Sequence, residues 1–170
     1  MIFYDRIFDD EELEPYRKMY NNWNGYKIQK PQQGDREILL LNEYPNSEKL
    51  LDSYDKSLPD LVKVQFSAAL KHGYTIDAKL SLYGVGQQYE WHHDADPEVK
   101  HRNNPAWSRI VSSITYLNDD YEGGETEFID RTIVPESGKT LIFPSFFTCP
   151  HRGCPVTKGV KKILVMHCWV

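Results

Sequence analysis

The feature that most constrains the fold of this chain is a change in its hydrophobic period near Thr75. Before that residue, apolar side chains recur at helical spacing, whereas after it they alternate with polar ones, as in half-buried strands. Six segments are predicted to be strands, namely 76–83, 88–94, 108–117, 126–133, 139–146 and 160–169. Helices followed by a series of short strands favour an α+β fold whose strands close as a sandwich or jelly roll.

The first third of the chain contains two predicted helical stretches and a loop. The first helix is capped by Asp9 or Asp10, while Pro15 cannot lie deep inside it, so its start is defined only to within some residues. Its apolar face consists of Leu13, Tyr16, Met19 and Tyr20. The second stretch covers about 46–72 and is divided by Pro59. Between them, the polar segment 24–37 is predicted to be a loop that could fold over a substrate as a lid.

Length and charge bound the organisation of the chain and its partners. One hundred and seventy residues make about one domain. We therefore expect a single domain over 1–170, in which a mainly helical segment over 1–74 supports a β-rich segment over 75–170. A net charge of −5 argues against a nucleic-acid partner. No segment approaches the ~20 apolar residues of a membrane span, and three cysteines are no disulfide framework, so we expect a soluble cytoplasmic or other intracellular protein.

The densest group of reactive side chains lies in the predicted strand 88–94. His92 and Asp94 are two residues apart and therefore point to the same face of an extended strand. Such a pair is by itself more often a surface pair, but with one more histidine it forms the facial triad of non-haem Fe(II) sites. The third ligand could be His72, His101 or His151. His151 is the best candidate because predicted buried strands precede and follow it.

Two further features bear on the chemistry of this site. Lys161 is the first inward position of the last predicted strand, where a buried ammonium needs an anion as its partner, although it could also mark the solvated start of that strand. Cys149, His151 and Cys154 form the alternative site, since two thiolates and an imidazole could bind zinc in a non-catalytic binding module. That alternative leaves the pair of His92 and Asp94 unexplained.

Three ordered blocks of sequence resemble the prolyl 4-hydroxylase-like family of Fe(II)/2-oxoglutarate-dependent oxygenases. In the segment 83–94, five residues (Tyr83, Gly86, Tyr89, His92 and Asp94) follow the family's Tyr-x-x-Gly-x-x-Tyr-x-x-His-x-Asp signature. The segment 109–128 is similar to the block that runs from an arginine through Tyr-Leu-Asn to Gly-Gly-Glu-Thr-x-Phe. The third block is similar to the family's distal His…Pro-Val…Lys/Arg block. In this chain it consists of His151, the Pro-Val pair at 155–156, and Lys161 ten residues after the histidine. The resemblance covers about 76–169.

The resemblance implies a double-stranded β-helix core of the jelly-roll, cupin-like kind, with the N-terminal helices packed on one face. It implies Fe(II), 2-oxoglutarate and O2 as cofactor and cosubstrates, with ascorbate in support. Fe(II) would be bound by His92, Asp94 and His151. Lys161 and Tyr83 would contact the distal carboxylate of 2-oxoglutarate, with Thr115 as a further contact from the inward face of its strand. The chain has His167 where the family often has tryptophan.

The function implied by the resemblance is hydroxylation of a prolyl residue, at C4, in a peptide or protein, with succinate and CO2 as coproducts. The alternative on the same chemistry is a hydroxylase of another residue or of a small molecule. Trp91, Trp107 and the polar segment 95–107 could form a rim for the substrate, although core packing would explain both tryptophans equally well. A proline-containing polypeptide is the expected partner, no membrane or nucleic acid is expected, and a monomer is compatible with the sequence.

Overall fold

The computed structural model of the chain describes residues 2–30, 34–41, 47–58, 60, 74–95 and 109–169. The helical elements in these ranges are α1 (Asp10–Met19), a 3₁₀ helix (Tyr20–Gly25) and α2 (Ser47–Ser57). The strands are β1 (Phe3–Asp5), β2 (Glu37–Leu40), β3 (Thr75–Tyr83), β4 (Tyr89–His92), β5 (Arg109–Tyr116), β6 (Glu122–Gly123), β7 (Thr126–Phe128), β8 (Thr132–Ile133), β9 (Thr140–Pro144), β10 (His151–Gly153), β11 (Val156–Lys158) and β12 (Lys161–Trp169).

Helix α1 begins where the sequence places a cap. Asp9 accepts a hydrogen bond from the backbone N–H of Glu12, and the Glu12 carboxylate accepts one from the backbone N–H of Asp9, at 2.8 and 2.9 Å. This reciprocal pair satisfies two of the free N–H groups at the helix start. Pro15 nevertheless lies inside the helix, contrary to the expectation that it would displace the start. The helix therefore tolerates the loss of one backbone hydrogen bond beyond its capped first turn.

The strands form two larger antiparallel sheets and a two-stranded ribbon. The major sheet has the order β1-β9-β5-β12-β3-β2, and the minor sheet has the order β4-β10-β7-β8. Strands β11 and β6 form the ribbon. Strands that are distant in the sequence are therefore neighbours in both sheets, as in a jelly roll.

The two faces of the major sheet are covered by different partners. On its outer face, Leu80 and Leu164 pack in one apolar cluster with Leu13 of α1, Trp23 of the 3₁₀ helix and Tyr54 of α2. On its inner face, a second cluster joins the major sheet to Phe128 of the minor sheet. The predicted α+β class, with N-terminal helices on one face of a β core, is confirmed. Among the described residues, none of the helices has the length and apolar composition to span a bilayer.

The predicted strands are mostly those that the structure contains. The predictions for 76–83, 88–94, 108–117, 139–146 and 160–169 agree with β3, β4, β5, β9 and β12 to within two residues at each end. The predicted strand 126–133 is instead the two short paired strands β7 and β8. The predicted loop 24–37 overlaps the start of β2, and of the predicted helical stretch 46–72 the residues after 60 lie outside the described ranges, as does Trp107.

Candidate active site

Strand pairing brings the predicted ligands together. In the minor sheet, β10 pairs with β4 so that His151 lies directly opposite His92, and Asp94 follows two residues after His92. One potential ligand atom from each of these three side chains lies within 4.8 Å of the others. Cys149 and Cys154 do not belong to this cluster, and the Cys154 thiol instead faces the carboxylate of Glu127 at 3.5 Å.

Backbone carbonyls determine which nitrogen of each imidazole faces the cluster. His92 Nδ1 lies 2.7 Å from the carbonyl oxygen of Glu90, and His151 Nδ1 lies 3.1 Å from that of Cys149. Because a carbonyl oxygen can only accept, each Nδ1 carries the proton and each Nε2 is left with a lone pair. These Nε2 atoms lie 3.4 Å and 3.8 Å from the Asp94 carboxylate oxygens.

The electrostatics of the cluster suit a cation. Burial lowers the pKa of His151, although the Asp94 carboxylate acts against this shift. Burial acts to raise the pKa of Asp94, but the facing imidazoles of His151, His92 and His167 outweigh it and hold that pKa well below its usual range. The Nε2 atoms of two imidazoles, whose Nδ1 atoms face backbone carbonyls, and one ionised carboxylate therefore converge on a common point. A bound divalent metal would satisfy all three, so this donor set fits Fe(II).

Aromatic rings hold the two imidazoles in place. The Tyr89 ring stacks on the His92 ring with centroids 3.6 Å apart. His151 is 3% exposed and packs between the rings of Phe128 and Phe143. This packing fixes ring orientation before any metal is bound, and it keeps water from one side of the cluster.

The cluster opens into a cavity between the two sheets. Inward side chains of β12 (Lys161, Ile163, Val165 and His167) and of β3 (Lys79, Ser81 and Tyr83) line it, together with Arg36, Tyr89 and the three clustered residues. The predicted inward orientation of Lys161 agrees with this lining, which also includes Tyr83 and His167. Thr126 of β7 and Gly153 of β10 contribute from the opposite sheet.

Lys161 is the most deeply buried cation of this cavity. Lys161 is only 2% exposed, and its Nζ donates a hydrogen bond to the carbonyl oxygen of Gly124 at 2.6 Å. Gly124 has a φ of +68°, and a Cβ there would lie 3.1 Å from Lys161 Cδ, so glycine suits both the turn and the close approach. Burial lowers the pKa of Lys161 to about 8. None of the ion pairs between described residues includes Lys161, so its ammonium can still donate to a carboxylate.

Thr115 does not reach the cavity, and its predicted inward orientation is wrong. Its neighbour Ile114 lines the cavity, so Thr115 points to the opposite face of β5. There its hydroxyl exchanges a hydrogen bond of 2.8 Å with that of Thr140. Trp91 is likewise on the opposite face of β4 from His92, where the Arg152 guanidinium lies 5.3 Å from its ring, so the structure does not place it beside the cavity.

A network that sequence reasoning missed lies behind Asp94. Asp77 accepts a hydrogen bond from His167 Nδ1 at 3.0 Å and pairs with Arg109 at 3.5 Å, and Arg109 also donates to the Asp94 backbone carbonyl. Burial, together with the charges of Lys79 and Arg109, lowers the pKa of His167 to about 4. Its Nε2 finds no hydrogen-bond partner among the described residues and faces Asp94 Oδ2 at 3.8 Å. Polar residues at 77, 79 and 81 of a predicted strand were the available signal for this network, whereas nothing in the segment 24–37 distinguished Arg36.

Two facing antiparallel sheets that hold two histidines and a carboxylate define a class of non-haem, metal-dependent oxygenases. The chain belongs to the 2OG-Fe(II) oxygenase superfamily, whose family model matches residues 78–170. This membership confirms the predicted family, the class of enzyme (2-oxoglutarate-dependent dioxygenase) and the cofactors Fe(II), 2-oxoglutarate and O2. The role of ascorbate stays a prediction.

Individual relatives agree with this assignment. The chain is 33% identical over 105 residues to a probable prolyl 4-hydroxylase 9 of Arabidopsis thaliana. The aligned residues cover 48% of this chain and 36% of that protein. It is 30% identical over 131 residues to a procollagen-lysine,2-oxoglutarate 5-dioxygenase 1 of Rattus norvegicus, covering 74% and 15%. The chain thus spans about a third or less of these relatives.

A solved structure confirms the jelly-roll fold. The crystal structure of a Pseudomonas putida prolyl-4-hydroxylase superposes with a TM-score of 0.73 at 17% identity, covering 99% of this chain and 91% of that one. At this identity, the likeness concerns the fold.

Proposed function

We propose that this chain hydroxylates a prolyl residue, at C4, in a peptide or protein, and converts 2-oxoglutarate to succinate and CO2 as it does so. One observation carries the proposal. A buried ammonium without a carboxylate partner among the described residues, that of Lys161, shares a cavity with three side chains whose lone pairs converge. Such a cavity suits a divalent metal and a dicarboxylate together. The prolyl substrate is supported by the names of similar proteins, among them the prolyl hydroxylases of Arabidopsis thaliana and Pseudomonas putida.

In this proposal His92 Nε2, Asp94 and His151 Nε2 would hold the iron. Three protein ligands would leave room at the metal for 2-oxoglutarate and O2. When bound, iron and 2-oxoglutarate supply the O2 activation that replaces a substrate C–H hydrogen by hydroxyl. The carbonyls of Glu90 and Cys149 keep each imidazole in the tautomer that presents Nε2, which is the role of outer groups at metal sites.

Lys161 orients the dicarboxylate. Its ammonium is desolvated by the surrounding sheets, so a charge-assisted hydrogen bond to a carboxylate is stronger there than in water. Gly124 takes one of its three donors, and the ring of Tyr83, whose centroid lies 5.2 Å from Nζ, closes the same end of the cavity. Tyr83 stays protonated at neutral pH because burial raises its pKa to about 12, so its hydroxyl can donate to the same carboxylate.

The test is turnover of a peptide panel by the protein supplied with Fe(II), 2-oxoglutarate and O2. Each host peptide carries a single proline, and matched peptides carry lysine or alanine in its place. Free L-proline is included. We expect the proline peptides to gain one oxygen atom, found at C4 by NMR, in step with succinate formation. The Asp94→Ala variant, assayed in parallel, should do neither.

The possible outcomes separate the substrate from the chemistry. Better turnover of free proline, of another small molecule or of the lysine peptides would refute the prolyl peptide substrate and leave the oxygenase chemistry in place. Absence of 2-oxoglutarate-dependent succinate with any substrate would refute the proposed activity itself.

A further inference from the structure

A second lysine faces the cavity. Lys79 lies on the inward side of β3, between Asp77 and Ser81, while its neighbours Ala78 and Leu80 pack in the outer apolar cluster. Its side chain lines the same cavity as Lys161 and the side chains of His92, Asp94 and His151. Lys79 is partly buried, and an inward lysine in a strand that is paired on both sides is unusual, because lysine is mostly a surface residue.

The carboxylates near Lys79 are engaged with other groups. Asp77 pairs with Arg109 and His167, and Asp94 faces three imidazoles. None of the ion pairs among the described residues includes Lys79. Burial, together with the charges of Arg109 and Arg36, lowers its pKa to about 8, so the ammonium is still mostly protonated at neutral pH. The cavity thus contains a cation that forms no ion pair with a described residue.

Binding of the metal and the cosubstrate would not supply the missing anion. Under the proposed function, the two charges of Fe(II) are matched by Asp94 and by the carboxylate of 2-oxoglutarate at the metal. The other carboxylate of 2-oxoglutarate is matched by Lys161. Neither of these pairings includes Lys79, and a partly buried charge of this kind is costly until an anion pairs with it.

We propose, on the basis of the function proposed above, that Lys79 binds a carboxylate of the substrate and so selects substrates with a negative charge close to the target residue. The carboxylate lies within one or two residues of the target, because Lys79 and the ligand cluster line one cavity and successive Cα atoms are only 3.8 Å apart. It comes either from an aspartate or glutamate side chain or from the terminal carboxylate of a peptide that ends at the target.

The first arm of the test measures turnover of matched peptides. The host peptide contains a single proline. In each matched pair, one of the two positions before or the two positions after the proline carries glutamate in one member and glutamine in the other. A further pair ends at the proline, as a free acid or as an amide. We expect a kcat/KM at least tenfold higher for the charged member of one pair. The pair that responds identifies the source of the carboxylate.

The Lys79→Met variant should reduce this preference to less than threefold, and the KM for 2-oxoglutarate should stay within twofold of wild type. Lys18→Met, which removes one positive charge from an exposed position of α1, should keep the full preference. Should Lys79→Met not fold, Lys79→Gln serves as the second variant. A rise in the KM for 2-oxoglutarate with an unchanged peptide preference would assign Lys79 to the cosubstrate and overturn the inference.

The second arm measures binding and does not depend on turnover. The same peptides are titrated calorimetrically into the protein loaded with Zn(II) and 2-oxoglutarate. Tighter binding of a charged peptide by at least tenfold, lost in Lys79→Met, supports the inference even where no peptide is hydroxylated, in which case only the proposed function fails. Equal binding of all charged and uncharged pairs refutes the inference, even where turnover is observed.

Discussion

The two faces of the major sheet are made by alternating residues of the same strands, yet they differ in almost every physical respect. On the outer face, Leu80, Leu164 and Met166 are fully buried among apolar side chains of the helices. On the inner face of the same strands, Lys79, Lys161 and His167 line the cavity.

This difference separates stability from chemistry. The outer face removes apolar surface from water, which is the main stabilising contribution to folding. On the inner face, burial lowers the pKa of Lys79 and Lys161 to about 8 and that of His167 to about 4, so these groups are held in environments that disfavour their charged forms. For the two lysines, an anionic ligand would restore the balance of charge.

The largest effect on activity is expected from Asp94→Ala. Loss of the carboxylate removes the anionic ligand of the cluster, so succinate formation should fall by more than about a hundredfold, since even outer groups of metal sites affect binding 10–100-fold. The melting temperature of the metal-free protein should change little, because no apolar packing is lost. Succinate assays and thermal melts measure the two effects. A melting temperature lowered as far as in an outer-face variant would break the contrast between the faces.

The largest effect on stability is expected from Leu164→Ala on the outer face. This side chain is fully buried, and truncation of such a leucine costs ~2–5 kcal/mol in transfer and cavity energy. Denaturant titration measures the loss. The kcat per folded molecule, determined well below the melting temperature, should remain near that of wild type, and a proportionate fall in kcat would show that the two faces are coupled.

Adjacent lysines of β12 offer a sharper comparison. Lys161→Ala should raise the 2-oxoglutarate requirement at least tenfold, since loss of a charge-assisted contact to a buried carboxylate costs ~2–5 kcal/mol. Lys162 is on the outer side, with its Nζ 5.6 Å from the Tyr20 ring centroid, so Lys162→Ala should leave this requirement unchanged. The KM for 2-oxoglutarate of each variant is the measurement. Greater sensitivity at Lys162 would mean that Lys161 does not contact the cosubstrate.

The smallest effect concerns pH. The pKa values of Lys79 and Lys161 lie at about 8 in the folded state against 10.5 otherwise, so between these pH values the unfolded chain binds more protons. The free energy of unfolding of the metal-free protein should therefore gain up to roughly 1.4 kcal/mol per pH unit from each lysine as the pH rises above 8. Tyr83, whose pKa burial raises to about 12, acts in the opposite direction above pH 10.

A double variant isolates the contribution of the lysines to this pH dependence. Denaturant titrations of wild type and Lys79→Met/Lys161→Met at pH 7.5 to 9.5 should give curves that converge as the pH rises. Parallel curves would show that these ammonium groups are not destabilised by the inner face.

Much of the fold was predictable because local signals agree with the final structure. The cap at Asp9 and the long strands β3, β5 and β12 were found from capping chemistry and hydrophobic period. The two- and three-residue strands β1, β6, β10 and β11 were not, because so few residues cannot show a period. Pairing with longer partners makes them strands.

The site was predictable to the extent that neighbouring residues in the sequence determine it. His92 and Asp94 share a face because side chains alternate along a strand, and the distal histidine and lysine follow from the order of the sequence blocks. Thr115 was assigned to the wrong face because β5 is buried on both sides. The polar and apolar residues of β5 do not alternate regularly, so the strand period indicates which residues share a face and not which face is inward.

By itself, the sequence determined the helical and strand-rich regions, the capped start of α1, the adjacent ligands His92 and Asp94, and the family, since each is encoded within short stretches of chain. Only the tertiary structure decided the register that places His151 opposite His92 and the grouping of Asp77, Arg109 and His167 behind Asp94. It also decided that Lys79 faces the cavity without an ion pair to any described carboxylate. These relations join residues of different strands. They depend on how the strands pair and how the sheets face each other, which no local pattern specifies.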